Sequence, residues 1–311
     1  MQNPLFSPLQ VKGKTFRNRV VMPPMVVNRG IHTPEGWEWY ARHARGGVAL
    51  VIVEAADSIC FGTEYTVENL RPLVEGIQRE GALAAIQIFP GWRGQKVQPA
   101  QLSLDEIRKL VDSYRLAAEI CMEAGFDGLE PHGAHGFLLN QFFSPEQNLR
   151  SDTYGGSIEG RMRLALEILE TIQPIAAQAG TLLLYRHTPV RAGYAIPESL
   201  ALARELIQRG LDILDISPAS QHAPGDRAAP FMQLGVPVIA VNELDRLERA
   251  EEVLREKRAD LVAVGRGLIA DPDWPLKVQQ GRLADIVACT YCDDCFACLD
   301  RDEPVVCSQW R

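Results

Sequence analysis

The sequence has no apolar run approaching the roughly 18 residues that a membrane-spanning helix needs, so none is predicted. Its first residues, MQNPLFSPLQVKGK, show no charged segment followed by an apolar stretch. We therefore predict no secretory signal peptide and expect a cytoplasmic protein. Basic residues are not in excess either, because 40 acidic residues against 32 lysines and arginines give a formal net charge of -8. This charge disfavours nucleic acids and acidic membranes as partners and favours a small-molecule substrate.

The sequence also lacks low-complexity tracts and any evident linker before its last residues. Its 311 residues are enough for two domains or for one large α/β barrel. A hydrophobic content of 46% with 23% charged residues is typical of a globular protein with a large core. The absence of a linker favours the single barrel.

Eight short apolar runs recur at intervals long enough for a helix. They are Val20 to Met22, Ala49 to Val53, Ala84 to Ile88, Gly128 to Glu130, Leu182 to Tyr185, Ile213 to Ile216, Val238 to Val241 and Leu261 to Val264. Such runs are typical of strands buried on both faces of a parallel sheet, and apolar residues at helical spacing lie between them. We predict an α/β fold, a TIM (β/α)8 barrel, with its active site at the carboxyl ends of the strands.

Two histidines follow the fourth predicted strand, His132 and His135, in a glycine-rich segment. Two imidazoles that converge at a strand end can donate hydrogen bonds to one substrate oxygen, or they can bind a metal. The alternative is a pair of histidines that only satisfy loop carbonyls. Position alone does not decide between these roles.

Polar residues on other strands suggest a planar cofactor. Gln87 lies in the third apolar run, where its amide can pair with donors and acceptors of a heterocycle. Arg186 ends the fifth run and places a cation at the barrel mouth, to bind an anion or to bridge barrel carboxylates.

The last two predicted strands end in residues that suit a phosphate group. Val241 and Asn242 end the seventh strand, and Gly265 and Arg266 follow the eighth. Loops after strands seven and eight form the recurrent phosphate site of TIM barrels. A planar cofactor that carries a phosphate is therefore predicted, and FMN is the one we expect.

Five of the seven cysteines lie close to the end of the sequence. They are Cys289, Cys292, Cys295, Cys298 and Cys307. In a reducing cytosol, clustered cysteines hold a metal more often than they form disulfides. Four thiolates can bind zinc or an iron-sulfur cluster.

Three long motifs resemble the Old Yellow Enzyme family of FMN-dependent oxidoreductases. They are LFSPLQVKGKTFRNRVVMPPM, AGFDGLEPHGAHGFLLNQFFSPEQNLRSDTYGGSIEGR and ADLVAVGRGLIADPDWPLK, and the likeness covers nearly the whole chain. The resemblance implies that NAD(P)H reduces FMN, which then gives hydride from N5 to the β-carbon of an activated alkene. It implies FMN contacts at Pro24, Met25, Ala55, Gln87, Arg186, Gly265 and Arg266, alongside Val241 and Asn242.

By the same resemblance, His132 and His135 bind the substrate carbonyl oxygen, and Arg186 stabilises the reduced flavin. The sequence departs from the family at Phe137, where typical members have a tyrosine that donates a proton to the substrate. Water, Tyr185 or Tyr194 are the substitutes considered. A further departure is Asn242, where a glycine is usual.

A subgroup that resembles trimethylamine dehydrogenase and dienoyl-CoA reductase has a 4Fe-4S cluster after the barrel. By that resemblance Cys289, Cys292, Cys295 and Cys307 are the expected ligands, with Cys298 as an alternative and zinc as an alternative metal. We expect residues 1–285 to form the FMN-binding barrel and residues 286–311 the metal-binding tail. Larger members continue into further flavin- and nucleotide-binding domains, which this sequence does not include, so a separate redox partner protein or a structural role is expected for the cluster.

The leading functional hypothesis is NAD(P)H-driven reduction of a C=C bond conjugated to a carbonyl group. A second hypothesis is an amine-type dehydrogenase that passes electrons through the cluster to a partner. Phe137 favours it, whereas His132, and Val26 in place of a cysteine for a covalent flavin, disfavour it. A third is a non-catalytic electron-transfer or redox-sensing module. A homo-oligomer is left open.

Overall fold

Eight parallel strands close into a barrel in the computed structural model, which describes residues 3–91, 97–191, 193–218 and 227–310. The barrel strands are β3 (Val20–Met22), β4 (Leu50–Asp57), β5 (Leu83–Phe89), β6 (Gly128–Gly133), β7 (Leu182–His187), β8 (Ile213–Ile216), β9 (Val238–Val241) and β10 (Leu261–Ala263). They pair in chain order, and β10 closes the barrel against β3. Each strand contains or overlaps one of the eight apolar runs, so the predicted TIM barrel is confirmed.

An antiparallel hairpin of β1 (Leu9–Val11) and β2 (Lys14–Phe16) precedes the barrel. Phe16 is fully buried in the same apolar cluster as Leu50, Leu182 and Ile239 from the barrel strands. This hairpin therefore belongs to the packed interior at the amino-terminal end of the barrel. The opposite end, where the strands finish, carries the polar residues.

Ten α-helices are found in the described part of the chain. They are α1 (Pro34–Arg45), α2 (Val67–Arg79), α3 (Leu104–Ala124), α4 (Leu138–Phe143), α5 (Ile158–Ala179), α6 (Ile196–Gln208), α7 (Leu247–Arg255), α8 (Arg266–Ala270), α9 (Trp274–Gln279) and α10 (Asp294–Asp300). Short 3-10 turns occupy Pro4–Phe6, Ser58–Cys60, Pro99–Gln101, Ala229–Leu234 and Leu283–Asp285. Between β8 and β9 the described residues hold only the 3-10 turn, where the regular pattern predicts a helix.

Helix α3 shows why these segments become helices. Ser103 and Glu106 form a reciprocal capping box at its start, and Gly125 ends it with a φ of 98°. Its apolar residues, including Tyr114 and Cys121, are buried against the barrel. Cys121 is therefore a core residue, which removes it from the candidate reactive thiols.

The residues after α9 fold back onto the carboxyl end of the barrel. The backbone N–H of Val305 donates to Val27 O at 2.9 Å, in the loop after β3. Trp310 Nε1 donates to Ile269 O at 3.1 Å, and its ring lies 5.9 Å from that of Trp39. These contacts place the cysteine-rich segment beside the barrel mouth. Among the described residues, no helix has the length and apolar character required to cross a bilayer.

Candidate active site

Two adjoining cavities open at the carboxyl ends of the barrel strands, and His135 and Arg186 line both. The histidine cavity, of about 620 Å³, is lined by Pro24, Val26, Ala55, Gln87, Phe89, His132, His135, Phe137 and Arg186. The β9–β10 cavity, of about 780 Å³, includes Met25, Val241, Asn242, Gly265 and Arg266. Every residue predicted from the sequence to contact FMN or substrate thus lines one of the two cavities.

The two histidines lie side by side, with ring centroids 5.2 Å apart. His135 has a left-handed backbone with a φ of 60°, and its Nε2 lies 2.7 Å from Ser217 Oγ. His132 Nδ1 is buried without a hydrogen-bond partner. Neither ring bonds a loop carbonyl, and no group of three or more metal-binding side chains suited to one ion occurs in the described residues. The arrangement favours ligand binding over the other two predicted roles.

Both imidazoles are held in the neutral form. Burial, with the nearby His135 and Arg186, lowers the pKa of His132 well below its usual value. Burial, Arg186 and Arg191 lower the pKa of His135 to about 3. A neutral imidazole can donate one N–H hydrogen bond without carrying a charge, so the pair can serve as donors to a substrate oxygen at neutral pH.

Arg186 is only 5% exposed and is fixed from several sides. Its Nε lies 3.4 Å from Asp215 Oδ2, and its Nη2 donates to Ser217 Oγ at 3.1 Å. Its Nη1 donates to Pro24 O at 3.4 Å. Arg186 therefore does bridge to a barrel carboxylate, as one alternative predicted, while it also lines both cavities.

Glu130 completes a buried polar row under the cavities. Its Oε1 accepts a hydrogen bond of 2.8 Å from Gln87 Nε2, and its Oε2 has no partner. Burial and the nearby Asp215 raise the pKa of Glu130, which favours its neutral form. Unpartnered buried polar atoms are rare in folded proteins and are typical of ligand sites. The unpartnered atoms of His132 and Glu130 thus fit a polar heterocycle such as a flavin.

The sequence did not single out Ser217, Asp215 or the carboxyl role of Glu130. Ser217 directly follows β8, so the rule that chemistry lies at strand ends could have found it. Asp215 lies inside an apolar run, and its pairing with Arg186 across the β7–β8 register depends on the fold.

Two tyrosines considered as proton donors are placed elsewhere. Tyr185 is buried in the main apolar cluster, and the Tyr194 hydroxyl donates to Thr188 O at 2.8 Å. Neither lines the histidine cavity. Both proposals are therefore withdrawn, and water remains as the substitute for Phe137.

The β9–β10 cavity has a tight floor. A Cβ added at Gly265 would lie 3.3 Å from Met25 Sδ, so a glycine keeps this surface open. Acidic side chains also line the cavity, but each is already paired. Glu243 bonds Arg249 at 2.9 Å, and Asp245 accepts from the Tyr291 hydroxyl at 2.6 Å. Because these carboxylates are paired, Arg266 remains the cation available to an anionic group.

Asn242 adopts a φ of 114°, beyond the ordinary left-handed region. Residues with a Cβ pay a steric penalty there, whereas glycine does not. We expect Asn242→Gly to raise the free energy of unfolding by about 0.5–1 kcal/mol, since the relief exceeds the entropy that glycine adds to the unfolded chain. Urea titration measures this. Asn28→Gly, at a φ of 53°, is the matched control and should gain less. A larger gain at Asn28 would contradict the assignment of strain.

Four cysteines line a third cavity, of about 290 Å³, next to the first two. They are Cys289, Cys292, Cys295 and Cys307, together with Arg266 and Ile269. Cys298 does not line this cavity and is only 2% exposed, within the main apolar cluster. The structure thus brings together the four cysteines expected as ligands and places the alternative ligand in the core.

Comparison with known proteins was made against families, curated proteins and solved structures. A family described as "NADH:flavin oxidoreductase / NADH oxidase family" matches residues 4–98 and 91–285. An NADPH dehydrogenase of Clostridium acetobutylicum is 31% identical, over 88% of this chain and 93% of that protein. An NADH oxidase of Thermoanaerobacter brockii is 32% identical, over 93% of this chain and 52% of that protein.

Among solved structures, morphinone reductase in complex with tetrahydroNAD has a TM-score of 0.75 at 27% identity, covering 89% of this chain and 90% of its own. A 2-naphthoyl-CoA reductase complex has a TM-score of 0.85 at 23% identity, covering 99% of this chain and 57% of its own, and supports the fold alone. The chain thus spans about half the length of the NADH oxidase and nearly all of the NADPH dehydrogenase.

Proposed function

Because this chain belongs to the NADH:flavin oxidoreductase / NADH oxidase family, we propose that it uses FMN and NAD(P)H to reduce a C=C bond conjugated to a carbonyl group. When bound, FMN accepts hydride from NAD(P)H and supplies it to the substrate β-carbon. The observation that carries the proposal is the pair of neutral histidines, His132 and His135, beside Arg186 in one cavity. Their N–H groups are placed to bind the carbonyl oxygen of an enone.

The chain's own residues have distinct parts in this proposal. His132 and His135 orient the carbonyl and stabilise the negative charge that grows on its oxygen as hydride reaches the β-carbon. Arg186 offers a fixed cation to an electron-rich flavin, and the Gln87 amide, held by Glu130, offers hydrogen bonds to its ring. The α-carbon takes its proton from water, because Phe137 has none to give.

The test is anaerobic. Protein loaded with FMN is reduced by one equivalent of NADPH or NADH, and the flavin absorbance is followed while a panel of enones is added. Return of the oxidised spectrum supports enone reduction. No return with any enone, although dioxygen restores it, would overturn the proposal and leave the electron-transfer module.

Phe137 also keeps an amine-type dehydrogenase under consideration, because such a reaction does not need the missing proton donor. In that case an amine would bleach the flavin without NAD(P)H, and electrons would leave toward the cysteines. Amine-dependent bleaching in the same anaerobic cell separates the two reactions. Bleaching with amines, together with no response to enones, would establish the second function.

Restoring the proton donor should accelerate enone reduction. The Phe137 ring lies 5.4 Å from that of His132 and is 46% exposed, so a para-hydroxyl can be added toward the cavity. We expect Phe137→Tyr to raise the rate of flavin reoxidation by simple enones at least about tenfold, since a positioned acid contributes 10²–10⁴-fold in enzymes. Stopped-flow absorbance measures the rate. Phe89→Tyr, which changes the neighbouring ring, is the matched control. An equal gain in both variants would contradict the specific role of position 137.

We further propose that residues 286–311 form a tail in which Cys289, Cys292, Cys295 and Cys307 hold a 4Fe-4S cluster beside an FMN-binding barrel of residues 1–285. Their shared cavity supports this ligand set. The described residues offer no single-ion group of three metal-binding side chains. This favours a cluster, whose thiolate ligands sit farther apart than those of one zinc ion.

The two candidate ligand sets predict opposite outcomes at two cysteines. We expect Cys289→Ala to lose most of its iron and sulfide, because the residue lines the shared cavity. Cys298→Ala should keep the wild-type iron content and lose only about 1 kcal/mol of stability from the core. Iron, sulfide and zinc are measured on anaerobically purified protein. Iron loss in Cys298→Ala with retention in Cys289→Ala would establish the alternative set, and stoichiometric zinc would replace the cluster.

A further inference from the structure

Residues between the tail cysteines line the cavity where a flavin phosphate is proposed to bind. Tyr291 lies between Cys289 and Cys292, and both Tyr291 and Phe296 line the β9–β10 cavity. Asp293 directly follows Cys292. The loop that would wrap a metal is therefore also a wall of the flavin cavity.

Arg266 is held between two residues of this loop. Its guanidinium lies 4.4 Å from the centre of the Tyr291 ring, and its Nη1 donates to Asp293 Oδ1 at 2.9 Å. The Tyr291 hydroxyl donates to Asp245 at 2.6 Å, which anchors the ring against the β9–α7 loop. The two residues on either side of Cys292 thus fix the orientation of the cavity's main cation.

The loop needs restraint to keep this shape. Tyr291 and Asp293 have φ values of 56° and 62°, in the left-handed region that residues with a Cβ avoid. Within the loop, Tyr291 N donates to Cys289 Sγ at 3.4 Å, and Cys292 Sγ lies 3.2 Å from Ser308 Oγ. Metal bonds to the cysteines on either side would hold both strained residues in place, whereas free thiols would not.

A second contact joins the tail to the opposite wall of the flavin site. The bond from Val305 N to Val27 O, of 2.9 Å, lies two residues before Cys307 in the chain. Val27 follows Met25 and Val26, which line the two cavities. Metal ligation at Cys307 would therefore also steady this wall.

We propose that Tyr291 and Asp293 are positioning residues for Arg266, so that a metal bound by the tail cysteines raises the affinity of the barrel for FMN through its phosphate. The inference rests on the proposed FMN and metal sites. Linkage makes the effect reciprocal, because FMN must then slow the loss of the metal by favouring the same loop conformation.

The experiment compares two flavins that differ only in the phosphate. Flavin-free protein is prepared anaerobically, with its iron-sulfur cluster intact or removed by a chelator, and quenching of flavin fluorescence gives Kd. We expect cluster removal to weaken FMN binding about tenfold, within the usual range of coupling between sites, and to leave riboflavin binding nearly unchanged. Tyr291→Leu, with its cluster intact, should weaken FMN similarly. Tyr291→Phe keeps the aromatic face and should stay within about twofold of wild type.

The two flavins separate the ways the idea can fail. Equal FMN affinity with and without the cluster would overturn the coupling while the proposed flavin site stands. Equal loss for FMN and riboflavin would also overturn it, because the tail would then act on the barrel as a whole. If FMN and riboflavin bind equally well to the intact protein, the phosphate placement at Arg266 is wrong, and the coupling and that part of the proposed site fall together.

Discussion

His132→Ala and His135→Ala are each expected to lower the rate of flavin reoxidation by enones by about 10²–10³-fold, the usual cost of removing one oxyanion donor. The rate of flavin reduction by NAD(P)H should change far less, because that step has no substrate oxygen to stabilise. Stopped-flow absorbance measures both half-reactions separately. His32→Asn is the matched control, since His32 lies beside Glu64 and Tyr65 and lines neither flavin cavity.

The pH dependence provides a further check on the same histidines. Burial lowers the pKa of both, that of His135 to about 3, so neither should gain a proton between pH 5 and pH 8. The enone half-reaction is therefore expected to show no inflection near the ordinary histidine pKa of 6.5. An inflection there that disappears in either alanine variant would contradict the neutral pair.

Arg186→Gln is expected to cost about 3–5 kcal/mol of unfolding free energy, because it leaves Asp215 buried without its cation. It should also abolish flavin retention, since the same side chain lines both cavities and binds Pro24 O and Ser217. Urea titration and flavin content measure the two effects.

A double variant separates stability from function at this site. Arg186→Gln with Asp215→Asn removes the unpaired charge and should recover most of the lost stability. Flavin retention should stay low, because the cation is still missing. Recovery of both properties in the double variant would show that Arg186 serves only to pair with Asp215.

The barrel and the lining of its mouth could be predicted from the sequence because both follow local rules. Strands buried on two faces are apolar throughout, and parallel strands finish at the same end, so His132, Gln87 and Arg186 must approach one another. The family motifs then indicated a flavin. The missing helix between β8 and β9 and the locations of Tyr185 and Tyr194 depend on packing that these rules do not specify.

The tail shows the limit more clearly. Spacing alone left two sets of four cysteines, and only the folded chain places Cys298 in the core and the other four around one cavity. The pairing of Arg266 with Asp293 joins residues 27 positions apart through the return of the tail. No periodic pattern signals such a contact.

The central claim is that neutral histidines at the mouth of an FMN-binding barrel present an enone to reduced flavin. The most direct measurement is the flavin absorbance of NADPH-reduced protein, mixed anaerobically with 2-cyclohexenone or a larger enone. The account predicts a return of the oxidised spectrum in wild type, together with a loss of about 10²-fold or more in rate in His132→Ala. Reduced flavin that persists with every enone, or an unchanged rate in His132→Ala, would contradict it.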